Sequence, residues 1–204
     1  MSFRKDMLRY GTLVILAVIF IAGLSVIIIT AEIKYDGECM VSAVVEWKSS
    51  KGSSVNIYVL NTSSASCSFI MGYHGLAVAV CFVFFIYFIL LLRKVIVNPR
   101  FLPWFALLCI IAAVFSLVCV MVLYIGLSNL CDGFLERYEG YTTCEAFESS
   151  YHYDRKGFTG LFKGAQIASW LSCVFWAVMA LMLFAQRKSF RIRRSLRVEN
   201  SIQT

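Results

Sequence analysis

A chain of 204 residues that is 60% hydrophobic and 15% charged, with a mean hydropathy of +0.76, is too apolar for a water-soluble domain of that length. Crossing the hydrocarbon core takes about 20 residues, so four spans use roughly half the chain and leave no room for a soluble catalytic domain. The net charge of +7 does not point to nucleic acid, because the basic residues flank apolar segments and no RNA- or DNA-binding motif accompanies them.

Residues 1–9 carry Arg4, Lys5 and Arg9 against Asp6, and Tyr10 to Ala31 then runs without a charge. A cleaved signal peptide has a shorter apolar region that ends in a small-x-small site. The run therefore reads as span one, an uncleaved signal anchor with a cytosolic N-terminus. Residues 32–68 turn polar and hold Cys39, the alternating run Met40 to Trp47, the turn KSSKGSS, a second run Val55 to Leu60, and Cys67. That pattern predicts a β-hairpin. A lone two-stranded hairpin is marginal in water, and Cys39 and Cys67, just outside the strands, could clamp it. Asn61-Thr62-Ser63 is an N-glycosylation sequon, which has a physical meaning only on the luminal or extracellular side.

Phe69 to Leu92 is span two, with Gly72, His74 and Gly75 near its outer end, where the histidine reads as a satisfied polar contact. The link 93–100, RKVIVNPR, is short and basic, so spans two and three are antiparallel neighbours joined in the cytosol. Phe101 to Leu127 is span three, entered through Pro103 and Trp104, a helix-start proline and an interfacial aromatic. Residues 128–158 form a mildly acidic, aromatic second loop with Cys131 and Cys144. Four loop cysteines allow three connectivities. Pairing within each loop, Cys39 with Cys67 and Cys131 with Cys144, closes the shorter rings, whereas Cys81, Cys109, Cys119 and Cys173 fall within spans and read as packing residues.

Span four occupies 159–185. Gly160, Gly164, Ala168 and Ser172 recur every four residues and are expected to share a face where another helix, of this bundle or of a partner, approaches closely. Lys163, in the first turn, is placed to snorkel to the interface. The tail 186–204 is basic through Arg187, Lys188, Arg191, Arg193, Arg194 and Arg197. Those cations suit anionic lipid at a membrane surface, though a trafficking or docking signal fits them equally. The N-terminus, the middle link and the tail hold twelve of the nineteen Lys and Arg residues, and both outer loops are net negative. Both termini are therefore expected to be cytosolic.

Catalysis in a bilayer needs converging polar groups. The span centres contain no Asp, Glu, His, Lys or Arg, and Glu145, Glu148, His152 and Asp154 lack metal-site spacing. No catalytic residue, cofactor or metal is therefore expected, nor any nucleic-acid partner.

Several motifs carry a family resemblance: Gly37-x-Cys39, Cys67-x-Phe69 with Gly72 and Gly75, Leu130-Cys131, Cys144-Glu145, and Ala165-Gln166-x-x-Ser169-Trp170 with Trp176. On these the chain resembles the transmembrane protein 179 family, particularly its B-type branch. Gln166 stands where that family can carry an acidic residue, and the tail is shorter and more basic. The resemblance implies four spans and a plasma-membrane or secretory-granule location, without implying an activity. The architecture is also similar to claudin-like proteins, but Trp47 stands alone, without the claudin pattern of tryptophans and a close cysteine pair. The expected fold is an all-α, four-transmembrane-helix bundle with a small disulfide-clamped β-hairpin ectodomain. The expected role is a non-enzymatic accessory subunit or adaptor of a larger membrane protein such as a channel or receptor. An oligomeric pore or transporter is the alternative from another class, with an adhesion protein behind it.

Overall fold

The computed structural model describes the backbone of residues 3–35, 38–49, 55–61, 65–93, 101–136, 143–146 and 157–202, and the side chains of 10–33, 39–41, 65–93, 101–136, 143–146 and 157–186. Four long helices dominate: α1 (Phe3–Ile33), α2 (Ala65–Leu92), α3 (Leu102–Leu135) and α4 (Phe158–Ile202). Each contains a stretch long and apolar enough to cross a membrane: Tyr10–Ile33, Ala65–Leu92, Leu102–Leu135 and Phe158–Gln186. Inside lipid a helix satisfies every backbone polar group within itself, which makes it the natural state of such runs.

The helices outrun the apolar runs that announce them. Hydropathy marks only the stretch suited to hydrocarbon, and the backbone hydrogen bonding of a helix does not have to stop where hydropathy does. α2 starts at Ala65 and so takes in Cys67, α3 continues past Leu127 to Leu135, and α4 continues through the basic tail to Ile202. Pro103 lies in the first turn of α3, where its missing N–H costs nothing. Gly157, with φ of 102°, adopts the left-handed conformation immediately before α4, and its carbonyl accepts the Leu161 N–H at 3.0 Å.

Between α1 and α2, Lys34–Tyr35 bridges Glu38–Cys39, residues Met40–Ser42 form a single tight turn, and Ala43–Ser49 pairs antiparallel with Val55–Asn61 in the register Ala43↔Asn61 to Ser49↔Val55. This segment rests on the loop-side part of α3. There Gly126 lies so close to Val41 that a Cβ would collide with the Val41 carbonyl, which explains a glycine in a helix interior that otherwise disfavours one. Disulfides join Cys39 to Cys67 and Cys131 to Cys144, with Cα separations of 5.8 and 5.4 Å. These are the pairings that close the shorter rings, and each ties a helix, α2 at Cys67 and α3 at Cys131, to the connecting segment beside it.

Packing is unequal around the bundle. α4 lies extensively against α3 and α1, and α1 against α2, but α2 and α3 approach one another at few points. The core divides into two apolar clusters. The loop-side cluster includes Val26, Ile70, Cys119, Leu123, Phe134 and Phe162, and the one toward the termini includes Leu16, Phe84, Phe88, Cys109, Trp176 and Met179.

Candidate functional site

Two features distinguish this bundle: a buried polar layer between the apolar clusters, and a groove where α2 and α3 part. In the layer, the Tyr73 hydroxyl donates to the Ala112 carbonyl at 2.5 Å and lies 2.7 Å from Ser116 Oγ, which in turn lies 3.4 Å from Ser172 Oγ. His74 Nε2 lies 3.4 Å from Ser169 Oγ, and both residues are fully buried. The layer thus ties α2 to α3 and α4 through side chains that would otherwise be unsatisfied in hydrocarbon. His74 is therefore buried inside the bundle, and the polar contact that its sequence position suggested is made there, to Ser169. α2 buries Ile70, His74, Ala77, Cys81, Phe84, Phe88 and Leu91 at helical spacing, and His74 falls on that stripe. Gly23 lets α1 approach at this level: a Cβ there would come within 2.9 Å of Val78 Cγ2 and 3.8 Å of the His74 carbonyl oxygen.

The row in α4 does not keep to one face. Gly160 is exposed, and a Cβ there would have nothing within 4 Å; Gly164 would reach Ile29 Cδ1 at 3.5 Å, Ala168 is buried, and Ser172 is fully buried beside Ser116. A step of four residues turns about 400° at about 3.6 residues per turn, so the row drifts about 40° each time and winds from lipid into the bundle. From Gly164 onward it is an internal seam against α1 and α3. The two tryptophans divide: Trp170 is half-exposed, and Trp176 is fully buried, edge-on to Phe84 at 6.2 Å.

At the loop end, Lys163 pairs with Glu145 in place of reaching out alone, through two largely exposed side chains. Toward the chain termini, Gln186 Nε2 donates to Thr12 Oγ1 at 3.3 Å. Among the described residues, no group of three or more His, Cys, Asp or Glu side chains could hold a metal ion. The Asn61 side chain, Thr62, Ser63, Glu148, His152, Asp154 and the side chains of Arg187, Lys188, Arg191, Arg193, Arg194 and Arg197 lie outside the described residues.

The groove between α2 and α3 has a volume of about 440 Å³. Its walls are apolar and include Gly72, Leu76, Val80, Leu108, Ile111 and Phe115, with Trp176 of α4 at its back. Phe84 and Tyr87 close it toward the termini by packing on Phe105, with ring centroids 4.5 and 4.7 Å apart. Sequence reasoning missed this groove. Two adjacent, uniformly apolar spans give no sign of whether they touch along their length.

The family model of the transmembrane protein 179/179B claudin domain matches residues 8–204. The chain belongs to this family. Transmembrane protein 179B of Danio rerio is similar to it, 28% identical over 189 residues that cover 89% of this chain and 82% of the fish protein. No solved structure matches. Family membership accounts for the four apolar spans, and the motifs that pointed to the transmembrane protein 179 family take up structural positions here: Cys39, Cys67, Cys131 and Cys144 in disulfides, Ser169 and Trp176 in the core.

Proposed function

We propose that this multi-pass membrane protein is a non-enzymatic accessory subunit or adaptor that binds a larger membrane protein, such as a channel or receptor, through its lipid-facing helix surfaces and its loops. One observation carries this reading: the buried polar layer of Tyr73, Ser116, Ser172, His74 and Ser169 joins helices to one another, and apolar clusters close the interior above and below it. Activity is then left to the outer surfaces. In the same reading both termini are cytosolic, the paired strands form a disulfide-clamped ectodomain that carries a glycan on Asn61, and the basic tail of α4 lies against anionic lipid. The membrane is the plasma membrane or that of a secretory granule.

An oligomeric pore or transporter is the rival. It would need a polar lining assembled between copies, whereas outward positions such as Val14, Leu76, Tyr124, Ile167 and Leu181 are mostly large and apolar. Flux through vesicles reconstituted with the purified protein separates the two. The adaptor reading expects none above empty vesicles, and solute or ion flux proportional to protein would contradict it.

A further inference from the structure

We propose that the groove between α2 and α3 is a binding site for a sterol. This goes beyond the adaptor reading and does not depend on it. The groove's volume of about 440 Å³ lies in the range of roughly 300–1,000 Å³ typical of small-molecule sites. Its length decides against a protein occupant. From Ser68 to Val80 there are twelve residue steps along α2, about 18 Å at about 1.5 Å per residue. A spanning helix needs about 30 Å of contact to match the hydrocarbon core, whereas about 18 Å is close to one leaflet. Below Val80 the Phe84–Phe105 and Tyr87–Phe105 contacts shut the groove, so an occupant entering from the loop side stops near the bilayer middle.

The walls select for a flat and rigid body. Tyr73 and Phe115 stack with centroids 5.8 Å apart and an interplanar angle of 22°, and the Tyr73 hydroxyl is fixed to Ala112 and Ser116. These rings are held in place and cannot readily re-pack around a flexible chain. Gly72, Ala77 and Ala112 give shallow relief on the facing surfaces, against which a fused-ring system makes continuous van der Waals contact. The lining is apolar nearly throughout, which suits the body of a sterol, and exposed Ser68, next to the Cys67 disulfide, marks the loop end of the groove. A charged phospholipid headgroup finds no charged side chain in the lining.

Full-length protein in detergent micelles, labelled with a photoactivatable cholesterol analogue and mapped by peptide mass spectrometry, tests the site. A Cβ at either Gly72 or Gly75 would have nothing within 4 Å, and only Gly72 lines the groove. Gly72→Leu therefore fills the groove while Gly75→Leu makes the same helix change outside it. The expected result is label on the Ser68–Val80 and Leu108–Phe115 segments, displaced by unlabelled cholesterol and not by equal phosphatidylcholine. Labelling should fall about tenfold in Gly72→Leu, the equivalent of about 1.4 kcal/mol, and stay unchanged in Gly75→Leu. If Gly72→Leu does not fold, Leu108→Phe on the α3 wall serves in its place. Label confined to segments that do not line the groove, equal loss in both glycine variants, or equal displacement by phosphatidylcholine would each overturn the proposal.

Discussion

Replacing Gly126 with alanine should destabilise the protein although alanine is the better helix former. By propensity alone, glycine to alanine in a helix interior gains about 1 kcal/mol. At Gly126 the added methyl would strike the Val41 carbonyl oxygen, with Val41 Cγ1 at 3.0 Å and its carbonyl carbon at 3.1 Å. Two of those three atoms are backbone, in a tight turn adjoining the Cys39–Cys67 disulfide, so no side-chain rotation relieves the clash. Overpacking of this kind costs about 1–3 kcal/mol and can cost more against backbone, which outweighs the propensity gain. For a chain of this size a kilocalorie corresponds to about 2–4 °C in Tm, so a net loss of about 1–2 kcal/mol should lower Tm by about 2–8 °C. Cys81, Cys109 and Cys119 are free and buried, and a thiol-reactive fluorophore that reports their exposure on heating provides the assay. Gly160, where a Cβ would meet nothing within 4 Å, is the control, and Gly160→Ala should leave Tm unchanged or slightly raised. A Tm for Gly126→Ala equal to or above that of the parent protein would refute the close approach of α3 to the first loop.

The remaining expectations concern the disulfides, the seam and the sequon. The Cys39–Cys67 ring spans 28 residues and the Cys131–Cys144 ring 13, which the chain-entropy relation converts to about 3.6 and about 2.9 kcal/mol. Cys39→Ser should therefore lower Tm somewhat more than Cys131→Ser, and non-reducing peptide mapping that finds a bridge between the loops would contradict the pairing. Gly164→Leu should cut the yield of folded protein, because a Cβ already reaches Ile29 at 3.5 Å and leucine adds three further carbons; normal folding would sink the internal seam. Asn61 should carry a glycan, so enzymatic deglycosylation should increase gel mobility and Asn61→Gln should abolish that shift. No change in mobility for protein from intact cells would leave the sequon unused.

The four spans are legible because an uncharged run of twenty-odd residues has few alternatives to a membrane helix, and the disulfides because each expected loop holds two cysteines, whose pairing closes the shorter rings. Which way each helix faces is another matter. Spans that are apolar all round have little amphipathic signal, so nothing in the sequence separates buried Trp176 from half-exposed Trp170 or places His74 in the interior. The regular row in α4 was legible as a seam, but its four-residue period drifts against the helix and sends Gly160 outward. The contact of Gly126 with Val41 joins residues far apart in sequence, and a lone mid-span glycine does not announce its partner. The α2–α3 groove was hidden for a related reason: consecutive spans joined by a short link are expected to pack, and here the packing goes instead through α1 and α4.

The claim that activity resides on the outer surfaces is tested most directly by site-specific photocrosslinking in cells. A benzophenone amino acid would be placed at Val14, Phe82, Tyr124 and Ile167, one outward position on each helix, each more than half exposed. The account predicts that some of these positions, clustered on one side of the bundle, crosslink to the same larger membrane protein, while the same group at buried Phe84 gives no intermolecular product. Crosslinks only between copies of this chain, from outward positions all around the bundle, would contradict it and favour the oligomeric pore.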